Sequence, residues 1–322
     1  MKILIYSFND KIGDGLQKVS FIQEIKNIYP NAHITYTTTH STSFKNKLYP
    51  LIENYIDEII ENNEIRSSLI DLVKSKKKFE NKYYDLIIDL QKVVLRSLNL
   101  KKIKHKKFFS ASANFLFSDF KNTKNLSFKN IYIERLYFNI LSVISYNNYS
   151  IIPEIKIGKN LFKNNIINTN IEKNIGIAPG AGNAIRCWNF DKYLEIAYYL
   201  RDIGYNVYFF LGPDEEKFLN KCLNNNFTCP EWIDGNFADY GINYSMYLAK
   251  KMKYLLCNDG GTSWIFEFAG VKTFKIFGVT NEKKFARPNF SKTIQIQDYG
   301  YKSLDEFPVS EYKKILNNFL TN

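Results

Sequence analysis

Short apolar runs of strand length alternate along the chain with longer segments whose apolar residues recur at helical spacing. Lys2 to Ser7 reads as a buried strand, followed by the polar, glycine-containing turn Asn9 to Gly15. Leu16, Val19, Ile22, Ile25 and Ile28 then fall on one helical face, and Pro30 stops the helix. Ala32 to Thr37 is a second strand, so the first forty residues predict a βαβ unit with parallel strands and a right-handed crossover. Further strands are expected at Ile56 to Ile60, at Tyr84 to Leu90 and over the short pair Phe108 and Phe109. Helices are expected over Leu69 to Phe79, near Gln91 to Leu98 and within 126–146.

A polar, Asn-rich stretch after Pro153 places an interdomain linker within 155–172. A second series follows: strand Asn174 to Ala178, glycine loop Pro179 to Asn183, helix Phe190 to Ile203, strand Tyr205 to Leu211 and helix Asp214 to Asn224. Strand Tyr254 to Cys257, a helix opened by Thr262, strand Thr273 to Phe277 and a terminal helix Glu311 to Leu320 complete it. The terminal helix has the reach to pack back on the N-terminal domain. The fold class is α/β: two Rossmann-like domains, 1–160 and 171–322, with parallel sheets facing a central cleft.

Chemistry concentrates where strands give way to glycine turns. Asn258-Asp259-Gly260-Gly261 joins a strand to a helix, so free N–H groups and a positive helix end meet there and favour an anion. Asn9 to Gly15 occupies the equivalent carboxyl end of the first strand.

Composition narrows the possibilities. With 322 residues the chain can bury a sizeable core, and no apolar run approaches bilayer-spanning length. The first strand is too short for a signal-peptide core, so a cytoplasmic protein is expected. Cys187, Cys222, Cys229 and Cys257 are scattered with no CxxC pair, which argues for reduced thiols and against a metal site. Only His33, His40 and His105 are available to histidine chemistry. A net charge of +12 implies anionic partners. No nucleic-acid-binding signature accompanies that charge. A basic face from Lys76 to Lys78 and Lys101 to Lys107 suits a phosphorylated lipid-linked acceptor and peripheral contact with an inner membrane leaflet.

Specific residues go further. Ile12-Gly13-Asp14, Asp89-Leu-Gln91 with Arg96-Ser97, and Ala178-Pro-Gly180 with Arg186-Cys-Trp188 resemble the signature of glycosyltransferase family 9, the lipopolysaccharide heptosyltransferases. Leu211-Gly-Pro-Asp-Glu215 and Asn258-Asp-Gly-Gly261 followed by Phe277-Gly-Val-Thr280 continue it in the family's order, nearly end to end. The resemblance implies a GT-B fold whose C-terminal domain binds a nucleotide-sugar donor and whose N-terminal domain binds the acceptor. It also implies inverting transfer without a metal or other cofactor, typically of heptose from ADP-heptose to a core saccharide.

On this reading Asp14 is the general base for the acceptor hydroxyl. Arg186, where the family carries Lys, clamps the diphosphate as a second catalytic group. Gly13, Gly15, Gly180, Gly260, Gly261 and Thr262 line the substrates. Glu215 resembles the family's ribose-binding acid, and Asp259 the acid that contacts the donor sugar. Trp264 stands where the family places His, and its indole can donate one hydrogen bond or stack. A nucleotide-sugar epimerase, or a GT-B protein that binds sugar nucleotides without turnover, are the competing readings.

Overall fold

The computed structural model describes residues 1–73, 76–120, 126–128, 131–151, 154–155, 166–233, 236–287 and 289–321. The chain divides into two compact units, Met1–Ile152 and Pro153–Asn322. The linker expected within 155–172 falls partly on 156–165, outside the described residues.

The first unit is built on a five-stranded sheet of β1 (Lys2–Ser7), β2 (His33–Thr38), β3 (Glu58–Ile60), β4 (Tyr83–Asp89) and β5 (Lys104–Ser110). Its order is β3-β2-β1-β4-β5, and every neighbouring pair is parallel. The near-continuous apolar runs of β1 and β4 follow from burial at the centre of such a sheet, covered on both faces. Leu4, Tyr6, Ile87 and Phe108 meet Leu100 and Ile103 in one apolar cluster. Helices Ile12–Ile28 and Ile133–Ser145 pack together, with Phe21 and Tyr137 ring centroids 5.7 Å apart.

The second unit repeats the plan with β6 (Asn174–Ala178), β7 (Asn206–Phe209), β8 (Tyr254–Asn258), β9 (Lys272–Phe277) and β10 (Ser291–Gln295). The order is β10-β9-β8-β6-β7, again parallel throughout. The order in which strands are laid down reverses between β6 and β8, the crevice where open α/β sheets place ligands. The terminal helix Val309–Leu320 spends its apolar face on this unit's own core. Tyr312 and Leu316, four residues apart, are buried there, and Tyr312 stacks on Trp188 with centroids 4.6 Å apart.

Several expectations need correcting. The first helix begins at Ile12, not Leu16, so Gly13 to Gly15 lie inside its first turn. Gly15 permits this: a Cβ there would sit 2.5 Å from Leu48 and 2.6 Å from the Ser43 hydroxyl. Of the helix expected over Leu69 to Phe79, only Ile70–Val73 is α-helical and Lys77–Phe79 is a 3-10 turn, with 74 and 75 outside the described residues. Most of the basic Lys101 to Lys107 stretch is not a lead-in to a strand but half of β5 itself. Asp214 begins no α-helix, because Pro213–Phe218 winds as a 3-10 turn before the α-helix Leu219–Asn224. Helix Asn236–Ala249 and strand β10 were not foreseen.

Candidate active site

In the first unit, the carboxyl end of β1 feeds the helix that carries Asp14. Four residues before Asp14, ahead of that helix, the buried Asp10 collects donors from four directions. Lys18 Nζ reaches its Oδ1 at 2.6 Å and Ser7 Oγ at 2.9 Å, while Tyr36 donates to Oδ2 at 2.7 Å and Thr42 at 3.3 Å. Burial works against the Lys18 charge, yet the Asp10 carboxylate reverses the balance and holds the ammonium's pKa above its ordinary value. The same ammonium donates to the Asp14 carbonyl at 2.9 Å. A buried ion pair therefore fixes the first helical turn. The Asp14 carboxylate itself is exposed, with no hydrogen bond or ion pair to any described residue. Gly13 is half-buried on the same turn, while Gly15 is buried and acts in packing.

Asp89 ends β4 and is 1 % exposed. It accepts from the Ser97 hydroxyl at 2.5 Å, the Ser110 hydroxyl at 2.8 Å and the Gln91 N–H at 2.8 Å. Burial nonetheless pushes its carboxyl pKa up to about 6. Beside it a pocket of about 500 Å³ is lined by Arg66, Arg96, His40, Asn62, Asn63 and Ser67, with no carboxylate in its wall. Arg96 lies flat on the Phe8 ring, 3.5 Å from its centroid, which orients the guanidinium without neutralising it. This pocket suits an anionic group.

The raised Asp89 pKa has a consequence for stability. The folded state holds the Asp89 proton more tightly than the unfolded chain, so the Asp89 contribution falls as pH rises from the ordinary 3.8 to about 6 and stays low above. That interval corresponds to roughly 3 kcal/mol. Asp89→Asn keeps an acceptor for the hydroxyls and removes the titration. Its denaturant-unfolding free energy should lack the downward slope of the parent between pH 4 and 6; parallel profiles would contradict the assignment.

In the second unit, four loops converge at the carboxyl ends of β6, β7, β8 and β9. Asn258, at the end of β8, ties the β8 loop to the β6 loop and the helix that follows it. Its amide donates to the Pro179 carbonyl at 2.6 Å, and its oxygen accepts from the Trp188 N–H at 2.9 Å and the Tyr193 hydroxyl at 3.1 Å. The β6 and β8 loops approach so closely that a Cβ on Gly260 would meet the Gly180 carbonyl and the Ala181 Cα at 2.9 Å. A Cβ on Gly180 would lie 2.3 Å from the Glu215 carboxylate, so Glu215 rests directly on that glycine. Burial raises the Glu215 pKa, with Asp214 adding to it. Glu215 lines a pocket of about 540 Å³ with Pro179, Gly182, Cys187 and Lys217, within the usual size of ligand sites.

Asp259 accepts from the Thr280 hydroxyl at 2.8 Å and lies 3.8 Å from Arg186 Nη1. Gly261 opens the helix Gly261–Phe268, whose first N–H groups have no partner within the helix. A cation, two carboxylates and helix-end amides thus share one sheet edge, an arrangement chemically suited to a phosphate group beside hydroxyls.

A family model described as glycosyltransferase family 9 (heptosyltransferase) matches residues 72–311. The chain belongs to glycosyltransferase family 9. Among solved structures it resembles a family 9 glycosyl transferase from Veillonella parvula, with TM-score 0.67, 17 % identity, and 99 % of this chain and 97 % of that one covered. The E. coli heptosyltransferase WaaC with ADP-2-deoxy-2-fluoro heptose aligns with TM-score 0.63 at 13 % identity, covering 99 % of each chain. E. coli ADP-heptose lps heptosyltransferase II aligns with TM-score 0.62 at 18 % identity over 100 % of this chain and 99 % of that one. A comparison with curated proteins yields no match.

This family 9 protein is a glycosyltransferase, which sets aside the epimerase reading, and its two parallel sheets match the GT-B fold of those enzymes. The structure brings Gly180, Arg186, Glu215, Asp259, Gly260, Gly261 and Thr262 onto one edge, and sets Asp14 and Gly13 on the first unit's helix. Trp264 is the exception. Its ring is 3 % exposed, lies over Lys275 Nζ at 4.7 Å and stacks on Phe268 with centroids 5.9 Å apart. The side chain therefore belongs to the packing behind the loop, and the position the family gives to His offers no ring to a ligand here. Asp10, Lys18 and Arg66 were not among the expected site residues, and Asn258 was expected only as part of its turn motif. A lysine and an aspartate eight residues apart, flanking a strand–helix turn, were the only local signal for the first two.

Proposed function

We propose that this protein transfers heptose from ADP-heptose to an anionic, lipid-linked saccharide of the lipopolysaccharide core, inverting the anomeric centre without a metal ion. The observation that carries the reading is the group at the second sheet's edge, where Arg186 and the bare amides of Gly260 to Thr262 stand beside Glu215 and Asp259. ADP and ADP-2-deoxy-2-fluoro heptose in two WaaC structures of this fold support the choice of donor.

On this reading the donor's diphosphate takes Arg186 and the helix amides, its ribose hydroxyls reach Glu215, and its sugar hydroxyls reach Asp259. The acceptor oxygen bonds to the anomeric carbon as the bond from that carbon to the diphosphate oxygen breaks. The acceptor proton passes to Asp14, and ADP leaves with the bonding pair. A guanidinium and amide donors placed at the leaving group supply the charge stabilisation a divalent ion would otherwise give. The pocket walled by Arg66 and Arg96 suits the acceptor's anionic groups. An acceptor of this kind fits an enzyme in the cytoplasm that works at the inner face of the inner membrane.

The test is release of ADP from ADP-heptose with and without a truncated core acceptor, in excess chelator. Release should require the acceptor and survive the chelator; acceptor-independent release, or loss of activity on chelation, would refute the reading. In the same preparation Arg186→Ala should weaken ADP binding roughly 10- to 100-fold, the loss of a charge-assisted contact. Unchanged affinity on titration would remove Arg186 from the diphosphate site.

A further inference from the structure

We propose that the first unit carries a bilayer-docking face, made of exposed apolar side chains around the helix Val94–Lys101 and the lysines next to it, that rests on an anionic lipid surface. The proposal deepens the reading of a lipid-linked acceptor and rests on it only for its purpose.

The apolar part has three sources. After β5 the turn Ser112–Phe115 holds Ala113, Asn114 and Phe115 at φ of 47°, 54° and 66°. Residues with a Cβ are disfavoured there by roughly 1–2 kcal/mol each. Phe115 anchors the turn on Phe128, centroids 4.7 Å apart, and the next residue, Leu116, is left 75 % exposed. Leu69 and Ile70 are 69 % and 66 % exposed, and Val93 and Val94 are exposed at the start of the helix Val94–Lys101. One scaffold carries all three. The turn and the short helix Ile70–Val73 both pack on Val94–Lys101, and Asn99 Nδ2 donates to the Arg66 carbonyl at 2.8 Å. Single exposed apolar residues are ordinary on a protein surface, but five of them carried by one helix and the two elements packed on it, one of them set out by a strained turn, mark a contact surface.

Charge selects the occupant. Between Asp89 and Asp119 the sequence contains no carboxylate, while Lys101, Lys102, Lys104, Lys106 and Lys107 fall in that stretch. Lys101 Nζ donates to the carbonyl of Phe117, the neighbour of Leu116, at 2.8 Å, and Lys107 lies over the Phe120 and Tyr146 rings. Lysines on an edge strand also deter pairing with another strand, but that role needs no leucines displayed beside them. A second copy meeting this face through a two-fold axis would set lysine against lysine. Anionic headgroups attract the ammonium groups, while Leu116 and Ile70 enter the headgroup–acyl boundary.

The experiment is flotation of the full chain with phosphatidylcholine vesicles, with and without phosphatidylglycerol, in the absence of donor and saccharide. The protein should float only with the anionic vesicles and be released by salt. Leu116→Ser with Ile70→Ser should lower the partition coefficient roughly 10- to 100-fold, and Lys104→Gln with Lys106→Gln roughly 10-fold. All four side chains are exposed, so the thermal midpoint should match the parent in both double variants, and the Leu116→Ser, Ile70→Ser pair should also keep parental transfer to a soluble core fragment. Equal binding to neutral vesicles, or double variants that float like the parent, would overturn the proposal. So would a dimer that only the apolar substitutions dissociate, since the face would then belong to a second copy. Vesicle binding without acceptor-dependent ADP release would sink the catalytic reading alone, and the reverse pattern would sink the docking face alone.

Discussion

Asp14→Asn should reduce turnover by roughly 10²- to 10⁴-fold, the usual contribution of a general base, while leaving ADP affinity within a few-fold. The substitution is nearly isosteric and removes only the capacity to accept a proton. Because the Asp14 carboxylate makes no hydrogen bond or ion pair to a described residue, its loss leaves no buried partner unsatisfied. The contact that does hold the turn, Lys18 to the Asp14 carbonyl, is a backbone contact and survives the change. A fall in kcat with an unchanged thermal midpoint and an unchanged ADP titration would identify a group used in the reaction rather than in folding. Near-parental turnover would place the base elsewhere.

Lys275→Met should lower stability by roughly 3–5 kcal/mol and the unfolding midpoint by roughly 10 °C. Lys275 and Glu267 have fully buried side chains with Nζ and Oε1 2.8 Å apart, behind the helix that carries Gly261 and Thr262. Removing the ammonium strands a carboxylate where water cannot reach it, and also withdraws the cation from beneath Trp264. Glu267 additionally accepts from the hydroxyls of Thr273 at 2.6 Å and Ser291 at 2.5 Å. Lys275→Met combined with Glu267→Gln removes both charges and keeps that acceptor, so the pair should recover at least half of the loss. Calorimetry of the parent, single and double variants checks this. A double variant no more stable than the single one would mean that packing, not the stranded charge, sets the cost.

The pair also explains why an indole serves at position 264. Trp264 covers a buried ammonium and stacks on Phe268, a task that a broad aromatic face performs and a histidine ring performs less well. On the proposed reading, donor binding then falls to Arg186, Glu215, Asp259 and backbone amides.

By itself the sequence determined two parallel α/β halves, their order of elements, and the loops that carry the candidate chemistry. Strand and helix periodicities are local properties, and glycines after strands mark turns; that Gly180 lies under Glu215 and Gly260 against the β6 loop came from the structure. It misjudged elements whose shape depends on neighbours. Helix Ile12–Ile28 starts early because Gly15 lets Ser43 and Leu48 close over it, and lysine-rich Lys104–Ser110 is a strand because β4 pairs with it. Only the tertiary structure decided which charges are buried, free or paired. Asp10 and Tyr36, Arg66 and Arg96, Pro179 and Asn258, and Trp264 and Lys275 are brought together by packing between separate elements, and a pattern that repeats every two or 3.6 residues carries no record of a partner tens of residues away.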